Sequence, residues 1–110
     1  LGPCIVTRDE IPDPYNVKLE LWLNGELRQS ATTSLMMRKF PAWLSYVSKN
    51  FTLNPGDMIA SGTCSGTASD TTPRPVNAPA PTERFVKAGD IIEFRVEHIG
   101  SMQNKVIAET

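Results

Sequence analysis

Residues 61–69, Ser-Gly-Thr-Cys-Ser-Gly-Thr-Ala-Ser, are nine consecutive small residues following Met58-Ile59-Ala60. A loop of this kind after an apolar stretch can line a concavity with backbone N–H groups and hydroxyls, which suits a carboxylate or carbonyl oxygen. The same composition also describes an ordinary tight connection. The pattern excludes two nucleotide and hydrolase signatures. No lysine follows the glycines, so the loop is not a GxxxxGK[ST] phosphate cradle. Gly62 to Gly66 reads G-T-C-S-G, with serine one place late for a GxSxG nucleophile elbow. Cys64 as a nucleophile would need a base, and no histidine lies near it in sequence. The single histidine, His98, continues the face of Ile92, Phe94 and Val96, so it is expected to point inward or to cap a strand end as a structural residue. Asp9, Glu10 and Asp13 carry oxygen ligands suited to Mg²⁺ or Ca²⁺. Their spacing fits no EF-hand loop, and Pro12 and Pro14 constrain them, so a solvated acidic turn is expected.

The elements that would position these residues follow from local patterning. Val17, Leu19 and Leu21 alternate with Lys18, Glu20 and Trp22. Asn24-Gly25 supplies the two residues that tolerate φ > 0 in a type I′ turn, so 17–30 reads as a β-hairpin. Phe40, Trp43, Leu44 and Val47 share one helical face, with Pro41 in the first turn; this predicts a helix over 41–50. Asn54-Pro55-Gly56-Asp57 has the residues of a type II turn. Short strands are expected at 5–6 and, buried, at 58–61. Longer ones are expected at 91–99 and 102–109, with turns at 88–90 and 100–101. The total is about six strands and one helix, a β-rich α+β class.

A chain of 110 residues is one domain's worth. A formal net charge of −1 with no basic run beyond Arg38-Lys39 argues against a nucleic-acid face. No stretch approaches the apolar length of a membrane-spanning helix. Cys4 and Cys64 lie far apart; one such pair allows a disulfide but is no disulfide framework, so two reduced thiols are expected. With no CxxC pair and a single histidine, no zinc site is expected. A cytoplasmic location is also expected. Residues 71–81 hold four of the nine prolines, and 69–83 reads as a proline-rich excursion from the body. The first residue is Leu1, and Leu1-Gly2-Pro3 does not look like a secretory signal. The chain therefore begins after processing or is part of something longer.

Several blocks, in order along nearly the whole chain, resemble the fumarylacetoacetate hydrolase family. They are Leu1-Gly2-Pro3-Cys4-Ile5-Val6-Thr7, Asp9-Glu10-Ile11-Pro12-Asp13-Pro14, Leu21-Trp22-Leu23-Asn24-Gly25-Glu26, residues 53–63, Ala88-Gly89-Asp90-Ile91-Ile92-Glu93 and residues 99–106. The resemblance implies a mixed β-roll of that family's C-terminal domain type with one short helix, residues 1–110 forming a single, partial catalytic domain that dimerises. It also implies an enzyme acting on 2-oxo or 1,3-diketo acids by C–C bond hydrolysis, decarboxylation, hydration or tautomerisation, with Mg²⁺ or Mn²⁺ as Lewis acid. The family's metal ligands, catalytic histidine and substrate-side lysine lie upstream of the block that opens this chain, so no metal ligand and no catalytic residue is assigned here. Thr63, with Gly62 and the adjoining backbone, matches the family's contact to the substrate's carboxylate end. The rival readings are a non-catalytic β-rich dimerisation or interaction module and a family member that has lost its metal site.

Overall fold

The computed structural model describes residues 2–73, 76, 77, 82 and 84–109. Positions 74, 75, 78–81 and 83 of the proline-rich stretch 69–83 therefore lie outside the described residues. Four strands form one sheet: β1 (Lys18–Leu23), β2 (Glu26–Thr32), β3 (Ile91–Val96) and β4 (Gly100–Lys105), in the order β2-β1-β3-β4, every pair antiparallel. Helix α1 (Phe40–Val47) and a single helical turn, α2 (Ala68–Thr71), lie between β2 and β3 in sequence.

The hairpin forms where alternation and Asn24-Gly25 predict it. Both turn residues have positive φ, 51° at Asn24 and 81° at Gly25. Turns of that hand match the twist of the flanking strands. One extra residue, Arg28, bulges from β2, so Leu21 faces Gln29 while Trp22 faces Leu27. A bulge of this kind leaves two residues of one strand against one of its partner. Asn24 then does more than turn the chain. Its amide donates to Asp90 Oδ1 at 2.9 Å, and its Oδ1 accepts from Ile91 N–H at 2.8 Å, tying the hairpin tip to the start of β3. Asp90 is buried, and its other oxygen accepts from Lys87 N–H at 2.9 Å. The Asn24 amide first, and the Lys87 N–H second, hold the Asp90 carboxyl below the usual carboxylate range. A depressed folded pKa means this stabilisation is complete above the unfolded value of about 3.9 and fades as pH falls through the folded value. Asp90→Asn should therefore melt at lower temperature than wild type at pH 7, with the gap closing as the pH is taken below about 4. Melting curves across that range check it, and a gap that widens in acid would contradict the account.

The sheet has two chemically distinct faces. Lys18, Glu20, Trp22, Glu93 and Arg95 occupy one, where the Lys18–Glu20 ion pair (2.7 Å), the Glu93–Arg95 pair (2.6 Å) and Arg95 stacked 4.9 Å from the Trp22 ring form a polar ladder. Leu19, Leu21, Leu23, Ile92, Phe94 and Val96 occupy the other, as the alternation of side chains along a strand requires. That apolar face is only partly covered. Among the described residues the buried apolar side chains are Val17 and Leu23, while Phe94, Leu44 and Phe51 are exposed. The accessible surface is 8888 Å², against roughly 6,000 Å² for a compact monomer of this mass.

Several sequence expectations need correction. Among the described residues four strands form, not about six. Residues 5–6 and 58–61 form no strand and join neither edge of the described sheet, and Met58 is exposed rather than buried. The third long strand stops at Val96 and the fourth starts at Gly100, so the turn falls at 97–99. His98 consequently leaves the apolar face: it sits in the left-handed region (φ 64°), solvent-exposed, with Nε2 3.9 Å from Glu97 Oε1. Helix α1 ends at Val47 rather than reaching 50; its predicted apolar stripe exists but none of its side chains is buried. Other expectations stand: the 54–57 turn closes with Asp57 N–H on Asn54 O at 3.0 Å and φ 99° at Gly56, and both cysteines are free thiols.

Candidate functional site

The small-residue loop runs alongside β2, and one side chain from that strand gathers it. Gln29 stands opposite Leu21, so the bulge turns it toward the apolar face, where it is buried. Its Nε2 lies 2.8 Å from Cys64 O, 3.1 Å from Thr63 Oγ1 and 3.2 Å from Ser65 O. The two protons of one buried amide are thus shared among oxygens of three successive loop residues. Thr63 itself is exposed, and its hydroxyl lies 3.4 Å from Cys64 O. Gly62 beside it is also exposed, with φ 91°.

Further along, the loop presses onto the β2 backbone. Gly66 has φ 99°, and a Cβ built there would collide with the Arg28 carbonyl oxygen and touch the Gln29 side chain. Its N–H donates to Asp70 Oδ2 at 2.9 Å. Thr67 caps α2, accepting from Asp70 N–H at 3.2 Å and donating to Asp70 Oδ1 at 3.0 Å. This reciprocal Thr-x-x-Asp arrangement resembles a capping box and ends the loop at a defined point. A cleft of about 240 Å³ opens beside it, lined by Leu21, Leu23, Arg28, Thr67, Ile92 and Phe94, with Arg28 Nε buried and without a hydrogen-bond partner. A larger open groove of about 860 Å³ runs over the polar face between Lys18, Arg95 and His98. Thr63 and Gly62 line neither.

The other chemistry-bearing residues stay apart from the loop. Asp9, Glu10 and Asp13 are exposed, and Asp13 Oδ1 accepts from Tyr15 N–H at 2.9 Å, a local turn as expected. Cys4 Sγ lies 3.4 Å from Ile99 O, against the β3–β4 turn. Among the described residues, no three His, Cys, Asp or Glu side chains cluster so as to hold a metal ion. No described helix is long and apolar enough to cross a membrane. Sequence reasoning missed Gln29. The available signal was a polar residue across from the inward-facing Leu21, hidden by a bulge that alternation alone does not reveal.

A small antiparallel sheet with short helices and a glycine-bounded loop anchored to its edge strand defines the class, a β-rich α+β module. The match is specific. Residues 1–107 fit the family profile "Fumarylacetoacetate (FAA) hydrolase C-terminal", and the chain belongs to the fumarylacetoacetate hydrolase family. It is 37% identical over 107 residues to a mitochondrial oxaloacetate tautomerase of Xenopus laevis, covering 97% of this chain and 31% of that protein. It is 39% identical over 105 residues to the 4-hydroxyphenylacetate degradation bifunctional isomerase/decarboxylase of Escherichia coli, covering 96% of this chain and 21% of that one. The crystal structure of maleylpyruvate hydrolase from Sphingobium sp. SYK-6, in complex with manganese(II) and pyruvate, superposes with a TM-score of 0.77 at 32% identity. It covers 96% of this chain and 34% of that one. The chain thus spans about a third or less of the length of these relatives.

Proposed function

We propose that this chain is the C-terminal segment of a divalent-metal-dependent enzyme that acts on 2-oxo or 1,3-diketo acids by C–C bond hydrolysis, decarboxylation or tautomerisation. Thr63 and the backbone at Gly62 hold the substrate's carboxylate end. The observation that carries this is Thr63, an exposed residue whose hydroxyl is met by the buried Gln29 amide at 3.1 Å. A carboxylate placed there gains a charge-assisted hydrogen bond, about twice as strong as a neutral one. Family membership gives the anion its identity, since the relatives' names describe an oxaloacetate tautomerase, a maleylpyruvate hydrolase and an isomerase/decarboxylase.

The residues described do not fit a metal centre, so the ligands for Mg²⁺ or Mn²⁺, and the proton-transferring groups, belong to polypeptide outside these residues. Two features support that division. The chain covers about a third or less of its relatives. Its accessible surface is also roughly half as large again as that of a compact monomer of its mass. A homodimer in the cytoplasm is part of the same proposal, in keeping with the uncovered apolar surface and two free thiols. That surface also suits the rival reading, a non-catalytic dimerisation module, which predicts no turnover at all.

The test is steady-state kinetics on the complete polypeptide with Mn²⁺ or Mg²⁺ and a panel of 2-oxo acids. Thr63→Ala should lower kcat/KM by about 1–3 kcal/mol, roughly 5- to 150-fold, the usual loss for a hydrogen bond to a charged group. An unchanged kcat/KM would remove Thr63 from the site, and no turnover of any oxo acid would favour the module.

A further inference from the structure

We propose that Gln29 is a positioning residue, which fixes the Thr63 hydroxyl as a hydrogen-bond donor toward the substrate carboxylate; this rests on the reading of Thr63 given above. Gln29 is 8% exposed, and the groups facing its Nε2 include the oxygens of Thr63, Cys64 and Ser65. Those acceptors settle which way the amide points: rotated by half a turn, its own carbonyl oxygen would meet two backbone carbonyls.

The consequence falls on Thr63. Nε2 has two protons: one goes to Cys64 O at 2.8 Å and the other lies between Thr63 Oγ1 at 3.1 Å and Ser65 O at 3.2 Å. A hydroxyl that accepts such an N–H keeps its own proton to give. Its nearest acceptor within the chain is Cys64 O at 3.4 Å, long for an O–H···O bond. That carbonyl already takes an N–H from Gln29 at 2.8 Å. The proton is therefore poorly held, and an incoming carboxylate is the better acceptor. With Gln29 gone, the hydroxyl turns freely between donor and acceptor, and residues 63–65 lose their common tether. The carboxylate is held equally before and during the chemical step, so the defect reads mainly as KM.

The experiment is a double-mutant cycle on the complete polypeptide, with KM and kcat measured for the preferred 2-oxo acid. Gln29→Met, which keeps the volume, should raise KM roughly tenfold with kcat little changed, and should add nothing once Thr63→Val is present. Equal Gln29→Met effects on the wild-type and Thr63→Val backgrounds would make Gln29 a packing residue and overturn the inference while leaving the carboxylate reading intact. No KM effect of Gln29→Met alone would overturn it too. A Thr63→Val enzyme with wild-type KM would instead fail the carboxylate reading, and the inference with it. If Gln29→Met does not fold, Gln29→Ala, which removes the amide without setting a charge against the Cys64 and Ser65 carbonyls, passes through the same cycle with the same readings.

Discussion

Gly66→Ala is expected to destabilise the fold by about 3 kcal/mol or more, near the top of the range for point substitutions. Two costs add. The position has φ 99°, where a side chain costs on the order of 1–3 kcal/mol. The new methyl would also drive into the Arg28 carbonyl and the Gln29 side chain, neither of which can retreat easily. Arg28 is the bulged residue of β2, and Gln29 is held by Cys64 and Ser65. Gly25 provides the control. It also has positive φ, 81°, but nothing lies within 4 Å of a Cβ built there, so Gly25→Ala should cost only about 1 kcal/mol. Chemical denaturation of the two variants gives the comparison. Equal costs would mean that the loop does not rest on β2, and the Gln29 tether would fail with it.

The second large effect concerns the chain by itself. With 8888 Å² accessible, against roughly 6,000 Å² for a compact protein of this mass, the isolated chain leaves the apolar face of the sheet and the stripe of α1 only partly covered. Exposed apolar surface drives association where it is contiguous. The chain made alone should self-associate at micromolar concentration and bind a hydrophobic dye many times more strongly than the complete polypeptide does. Sedimentation velocity and dye fluorescence read this directly. A sharp cooperative melt from a monodisperse monomer with little dye binding would show that the sheet needs no further cover, and would shift weight to an independent module.

The hairpin, the type II turn at 54–57 and the chemical difference between the two sheet faces were all legible from residue order. Each is local: Asn24-Gly25 permits one turn geometry, and period-two alternation assigns faces without knowledge of the partner strand. Pairing was not legible. Strand β1 lies between β2 and β3, and both helices intervene in sequence before β3 begins. Nothing local announces that the tip residue Asn24 will bond to Asp90. The segment 58–61 has strand-like residues but joins neither edge of the described sheet, so propensity alone made no strand there. For the small-residue loop the resemblance pointed to ligand approach as the reason for its composition. Packing explains part of it instead: Gly66 is glycine because a carbonyl of β2 occupies the space of its side chain. Helix α2 had a readable signal in the spacing of Thr67 and Asp70. The resemblance singled out Thr63, but the amide that meets its hydroxyl was invisible because a single bulge reverses which face Gln29 takes.

The most direct measurement is a crystal structure of the complete enzyme with Mn²⁺ and oxalate or pyruvate. The account predicts a carboxylate oxygen about 2.5–3.0 Å from Thr63 Oγ1, with the Gln29 amide still on the opposite side of that hydroxyl. A ligand carboxylate bound well away from residues 62–65, with the Thr63 hydroxyl turned onto Cys64 O, would contradict it.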